Sequence, residues 1–292
     1  MYLSNVKQVY KWKEDENVLV NSKDILVKAK REGYAVPAPN FIDLDSARVF
    51  VETAEKWRKP LILPFAQAHE SILSLEEASL IGKYLGEKSS MPVVLHLDHG
   101  EDVDFIKRAI TLGFTSVMID ASQASFEENV KITKEVVAFA HQHNVTVEAE
   151  LGHVGAGQNY ENHGLTDSIY TEVEDVLAFI EQTNIDSLAI SIGTAHGQYK
   201  GIPKLNFERL AEISEMTETP LVLHGGSSSG DDNLERCALN GISKINIFTD
   251  FLTGAFNKIN ENEPKDYLEL KALANEGMTE VLEHYFKVFH TK

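Results

Sequence analysis

The stretch Val93-Val94-Leu95-His96-Leu97-Asp98-His99-Gly100 constrains the fold more than any other in the chain. Its apolar run reads as a strand buried on both faces, the habit of parallel sheets covered by helices. The run ends abruptly in an acid and a histidine. An apolar strand with reactive residues at its carboxyl end is the layout of an α/β barrel, whose chemistry sits on the C-terminal rim. Other strands should then end the same way, in acids, histidines and glycines.

They do. Tyr34 to Ala38 leads to Asn40, Leu61 to Leu63 towards Gln67 and His69, and Ser116 to Ile119 to Asp120. Val145 to Ala149 leads to Glu150, Ser187 to Ile192 to Gly193 and His196, Leu221 to Leu223 to His224, and Lys244-Ile245 to Asn246. Helical patterns alternate with these runs: Leu44 to Trp57, Leu75 to Leu85, Val103 to Leu112, Phe126 to His141, Val173 to Ile180, Phe207 to Ile213, Leu234 to Leu239 and a final region from Tyr267 to Phe289. An earlier helix has Ser22 as its expected cap and Gly33 as its stop. The series predicts a (β/α)8 TIM barrel with an N-terminal helix and a C-terminal helical extension, one domain over residues 1–292. A doubly wound sheet would carry a glycine-rich fingerprint after its first strand, and none follows Asn40. Residues 1–21 read as a polar N-terminal segment. Residues 151–167, rich in Gly, Asn and His, read as an active-site lid loop that closes over the site.

Bulk properties narrow the partners. With 43% apolar residues the chain of 292 can build a sizeable core, and a formal net charge of -18 argues against nucleic acid and anionic membranes. The lone Cys237 excludes an intrachain disulfide and fits a reducing compartment. No apolar run is long enough for a bilayer and the N-terminus has no signal core, so the expectation is a cytoplasmic protein with no membrane partner.

His99, His196 and His224 each follow a different strand, which places three imidazoles on one rim. Three protein ligands with an open fourth position is the arrangement of a catalytic zinc site. Asp98 shares that rim with His99 only where the strand breaks, and Gly100 is the expected break. Asp102 is better placed than Asp98 to cap the next helix, which leaves Asp98 for acid–base work. Asp120 and Glu150 could form a second metal position or hold the histidines in place. His96 is read as structural. Glycines after the late strands, notably in His224-Gly225-Gly226-Ser227-Ser228, leave backbone N–H groups for a phosphate.

In order, His96-Leu97-Asp98-His99-Gly100, Glu148-Ala149-Glu150-Leu151-Gly152, Gly193-Thr194-Ala195-His196-Gly197, Leu223-His224-Gly225-Gly226-Ser227 and Lys244-Ile245-Asn246-Ile247-Phe248-Thr249 resemble the class II zinc-dependent ketose-bisphosphate aldolases. The match runs from about Gly33 to Phe251. The resemblance implies zinc on His99, His196 and His224, a second divalent or monovalent cation on Asp120 and Glu150, and Asp98 as the acid–base residue. It implies dihydroxyacetone phosphate held by Gly197, Gly225, Gly226, Ser227, Asn246 and Thr249, with Asn40 near the substrate. The expected reaction is aldol cleavage or condensation of a ketose of the fructose- or tagatose-1,6-bisphosphate type, by a homo-oligomer (dimer or tetramer).

The chain departs from that family at several places. Gln158 stands where relatives carry the lid glutamate that moves the enediolate proton, with Glu161 and His163 nearby. Ala66 replaces a Ser or Thr, Phe248 a small or polar residue, and Pro264-Lys265 an arginine motif. Residues 8–21 look inserted. A Schiff-base aldolase needs a strand-end lysine, and Lys244 is read as starting its strand and facing away from the site. A metal-dependent sugar-phosphate isomerase and a non-catalytic barrel subunit are the remaining alternatives.

Overall fold

The computed structural model describes residues 18–154, 170–196 and 201–292. Gly197 and the lid residues Gln158, Glu161 and His163 lie outside them, as do residues 1–17. Eight strands form one sheet: β1 (Val36–Pro39), β2 (Leu61–Ala66), β3 (Val93–Gly100), β4 (Ser116–Ile119), β5 (Thr146–Leu151), β6 (Ser187–Ile190), β7 (Leu221–Leu223) and β8 (Ile242–Ile247). All seven ladders are parallel, in the order β1-β8-β7-β6-β5-β4-β3-β2. Phe41 N–H donates to Pro64 O at 3.0 Å just past β1, so the open edges meet and the sheet closes into the expected barrel.

Ten helices surround it among the described residues: α1 (Lys23–Glu32), α2 (Leu44–Trp57), α3 (Leu75–Lys88), α4 (Val103–Leu112), α5 (Phe126–Gln142), α6 (Val173–Thr183), α7 (Phe207–Met216), α8 (Asp231–Leu239), α9 (Thr249–Asn262) and α10 (Tyr267–Val288). The outward strand residues, such as Leu63, Leu95, Val117 and Val147, pack against the apolar helix faces in one continuous core. No helix among the described residues is long and apolar enough to cross a membrane.

α1 does a separate job. Its Ile25, Leu26 and Ala29 pack with Val36, Ala38, Ile62 and Val94 in a second cluster that plugs the lower end of the barrel. Burying a side chain the size of Ile25 or Leu26 stabilises the fold by about 1.5–3 kcal/mol. Gly33 ends the helix as expected, at φ 65° with its N–H on the Ala29 and Lys30 carbonyls. Ser22 does not cap it. Its backbone is already helical, and its hydroxyl bonds to Thr146 Oγ1 at 2.8 Å instead.

Val18–Val20 and the C-terminal residues lie below the barrel. Val18 O accepts from Val93 N–H and Val20 N–H donates to Val93 O, which lays the end of the N-terminal segment beside the start of β3. Ala35 N–H donates to Phe289 O, and Thr291 Oγ1 to Ala35 O at 2.7 Å, which ties the C-terminal helix to the start of β1. α9 was not anticipated. Phe251 is its one buried residue, in edge contact with Phe50 at 4.7 Å, so its periodic signal is slight.

Candidate active site

β3 delivers two neighbouring side chains to one place by breaking at its end. His99 adopts φ 45°, a left-handed conformation, and the β3–β4 register shifts between Leu97 and Gly100. The break is therefore at His99, not Gly100. Gly100 serves a different need, since a Cβ there would lie 2.6 Å from Met118 O on β4. Asp102 caps α4 by accepting from Phe105 N–H at 2.7 Å. Asp98 is 3% exposed and is held by two amides, Asn40 Nδ2 at 2.7 Å and Asn246 Nδ2 at 2.8 Å. Burial alone would raise its pKa, but His99, His224 and Lys244 outweigh burial and hold it well below the usual carboxylate range. Asn40 and Asn246, expected at the substrate, thus orient the carboxylate.

Three imidazoles, from β3 and from the segments after β6 and β7, converge beside it. His99 Nε2 lies 3.1 Å from His196 Nε2 and 2.8 Å from His224 Nδ1. The far nitrogens fix the tautomers: His99 Nδ1 donates to Asp120 Oδ2 at 2.9 Å, and His224 Nε2 to Glu148 Oε1 at 2.9 Å. Neutral rings carry one proton each, so His99 and His224 would face each other lone pair to lone pair. A proton or a metal ion must sit between them. Burial opposes charge on His99, yet Asp98 and the bond to Asp120 overcome it and raise His99 to about 9. Burial, reinforced by His99 and His224, lowers His196 to about 3. The cluster accommodates one cation at its centre. Tetrahedral zinc at ordinary Zn–N lengths needs nitrogens about 3.4 Å apart, so the three rings fit it after a small outward shift.

A second group adjoins the first. His99, Asp120 and Glu150 bring ligand atoms within 4.8 Å of one another. Glu150 is buried, accepts from Val154 N–H at 3.0 Å through Oε1, and has no hydrogen-bond partner for Oε2 among the described residues. Burial first, then Asp120, raises its pKa to about 8. Ser122 donates to Asp120 Oδ1 at 2.7 Å, and with the His99 bond this keeps Asp120 low despite burial. The donor set is oxygen-rich and short of positive charge, which suits a hard cation.

Beneath the imidazoles lies a polar layer that sequence reasoning missed. Lys244 Nζ, 1% exposed, donates to both oxygens of Glu148 at 2.8 Å. His96 Nδ1 pairs with Ser116 Oγ at 2.9 Å, and burial with help from Lys244 lowers His96 to about 3, so it is neutral and structural as expected. These residues come from β3, β4, β5 and β8, which are not all neighbours in the sheet, so they meet across the barrel interior. The placement of Lys244 is corrected accordingly: it is third in β8 and points inward under His224. Bound to both carboxylate oxygens, it has no lone pair free for a Schiff base.

The loops after β7 and β8 form the third part of the rim. Gly225 has φ 65°, and a Cβ there would come 2.4 Å from Ala195 O, next to His196. Gly226 N–H is committed to Asn246 O at 3.1 Å, so it is not the open donor that the glycine pair suggested. Ser227 Oγ accepts from Phe248 N–H at 3.1 Å and Asp250 N–H at 3.4 Å, which ties this loop to the first turn of α9, where Thr249 lies. Ser228, at φ 59°, gives its N–H and hydroxyl to Asp250, and Tyr285 donates to the same carboxylate. The loop is braced from behind by α9 and α10.

Known proteins resemble this chain in both sequence and fold. Residues 20–292 match the family model described as fructose-bisphosphate aldolase class-II. The chain is 40% identical over 259 residues to the D-tagatose-1,6-bisphosphate aldolase subunit GatY of Klebsiella oxytoca, covering 86% of this chain and 91% of that one. It is 38% identical over 286 residues to the 6-phospho-5-dehydro-2-deoxy-D-gluconate aldolase of Halalkalibacterium halodurans, covering 94% and 96%. Among solved structures, the YdjI aldolase of Escherichia coli K12 superposes with a TM-score of 0.84 at 32% identity, covering 94% of this chain and 98% of that one. The chain belongs to the class II fructose-bisphosphate aldolase family and is a carbon–carbon lyase of the aldolase type.

Proposed function

We propose that this enzyme is zinc-dependent and reversibly cleaves a phosphorylated ketose into dihydroxyacetone phosphate and an aldehyde, as a cytoplasmic homo-oligomer. The observation that carries the reading is the face-to-face approach of His99 Nε2 and His224 Nδ1 at 2.8 Å, each ring's other nitrogen being held by a carboxylate. Those rings with His196 would hold zinc, and Asp120 with Glu150 a second cation. Zinc so bound would act as a Lewis acid on the carbonyl and steady the enediolate charge left by C–C cleavage.

The remaining work falls to the chain's own groups. Asp98, kept ionised and clamped by Asn40 and Asn246, takes the proton from the hydroxyl that becomes the aldehyde, and returns it in condensation. Gly225, Ser227 and Thr249 hold the phosphate against the braced loop, which orients the three-carbon half. Asp98→Asn keeps the clamp geometry but cannot accept a proton. It should lower kcat/KM by about 100- to 10,000-fold with zinc content unchanged. Dialysis against a chelator should abolish triose-phosphate release and zinc restore it. Cleavage that persists without metal would overturn the reading.

A further inference from the structure

The segments after β1, β2 and β8 make up the part of the rim away from the imidazole cluster. His69 closes the short 3-10 turn Gln67–His69 that follows β2. That turn starts where Ala66 pairs with Asp98 in the β2–β3 ladder, and Gln67 Oε1 anchors it by accepting Glu101 N–H at 2.9 Å. Phe248 lies one residue past β8, its N–H fixed on Ser227 Oγ. The two rings meet with centroids 4.7 Å apart and planes at 39°. Because β1 lies between β8 and β2 in the barrel, this contact spans the end of β1, where Asn40 holds Asp98.

His69 is unlike the other site histidines in one respect. Its Nδ1 is buried and has no hydrogen-bond partner among the described residues. Such an unpaired nitrogen bordering the barrel mouth offers its lone pair to a ligand's hydroxyl. Burial lowers the pKa of the ring, with Asp98 pulling weakly the other way, so the imidazole is neutral near pH 7. Residues 39–43, 66–73 and 246–250 contain no lysine or arginine but do contain Asp43, Glu70 and Asp250.

Resting on the aldolase reaction proposed above, we propose that His69 and Phe248 form the binding wall for the aldehyde half of the substrate, and that this half is uncharged, so the ketose carries its phosphate only on the dihydroxyacetone end. Asp98 must reach the hydroxyl that becomes the aldehyde, so the aldehyde half leaves the metal on Asp98's side and meets Asn40, His69 and Phe248. An uncharged hydroxyaldehyde offers a hydroxyl to Nδ1 and a C–H face to the phenyl ring. A phosphate dianion placed there would meet a phenyl ring, a neutral imidazole and acidic neighbours. Selectivity then comes as much from repelling the charged aldehyde as from holding the neutral one.

Two measurements on the zinc-loaded enzyme test this separately from the reaction itself. Exchange of the dihydroxyacetone phosphate C–H with deuterated water needs no aldehyde and reports on the underlying reaction; its absence would overturn that reading and the wall with it. Condensation of dihydroxyacetone phosphate with glyceraldehyde and with glyceraldehyde 3-phosphate reports on the wall. The parent enzyme should favour glyceraldehyde in kcat/KM by at least about tenfold, and His69→Ala and Phe248→Ala should each erode that ratio by about tenfold. His69→Gln, which keeps a hydrogen-bonding group, should retain more of the ratio than His69→Ala. Because the ratio is internal to each variant, partial loss of folded protein does not alter it. Preference of the parent for the phosphorylated aldehyde, or an equal loss on both aldehydes in every variant, would overturn the proposal.

Discussion

His99 and His224 on one side of the barrel mouth, and His69 on the other, are the same side chain held in opposite ways. The first two are fixed by carboxylates, Asp120 and Glu148, so that their inner nitrogens point at one another without choice. His69 is fixed by ring contact with Phe248 and keeps a buried nitrogen without a hydrogen-bond partner among the described residues. Groups that share a metal must be aimed before it arrives, because a metal ion tolerates little error in ligand direction. A group that meets a changing ligand is better placed by packing and left with its polar atom open. The mouth is thus over-determined where metal is expected and under-determined where the substrate varies.

The foundation of the determined side is the easiest to break. Lys244→Met leaves the Glu148 carboxylate buried without its cation, and should destabilise the protein by about 3–5 kcal/mol, read from urea unfolding. Glu148→Gln and Asp120→Asn keep the volume but weaken the grip on the ring N–H. Each should weaken zinc binding about 10- to 100-fold in a competition titration with a chromophoric chelator. If both bind as tightly as the parent, the carboxylates are not what aims the rings.

A gentler probe uses pH. His96 has a folded pKa near 3, below its unfolded value near 6.5, so between these values the unfolded chain binds the extra proton. Stability must therefore fall as pH falls through that window, and recover as pH rises. His96→Gln removes this slope, so parent and variant should differ by on the order of 1 kcal/mol more at pH 6.5 than at pH 5. A parallel pair of unfolding curves would mean that His96 is protonated in the folded state. The smallest effect is expected on the undetermined side. His69→Asn shares no hydrogen bond with the imidazole cluster and should leave zinc affinity within about twofold. A larger change would erase the distinction between the two sides.

The sequence showed the determined side far better than its support. Strand ends are conspicuous because an apolar run stops at a polar residue, which is how Asp98, His99, Asp120, Glu150, His196 and His224 were found, and the barrel with them. Glu148 and Lys244 lie inside apolar runs, and nothing in a linear pattern says that β5 and β8 face each other across an interior. Their pairing exists only once the sheet is closed. His99 misled for another reason. Glycine is the default for a left-handed backbone, so Gly100 drew the assignment, although histidine is several-fold enriched there too. Ser22 has a good capping residue type, but its hydroxyl found a better partner in Thr146 through a contact 124 positions away. The asparagines were expected beside the substrate, and the grip of their amides on the acid was a further role that no linear pattern announced.

The placement of Val18 and of the C-terminal residues beneath the barrel has a practical side. Val18 lies against the start of β3, while Phe289 and Thr291 hold the residue before β1, so each is a barrel's height away from Asp98. A bead, electrode or fused protein attached beyond Thr291 would hang from the floor of the molecule and leave the mouth turned towards solution. Orientation on a surface is thereby fixed by the fold itself, and anchoring through that end should expose the same face of every molecule to a passing sugar.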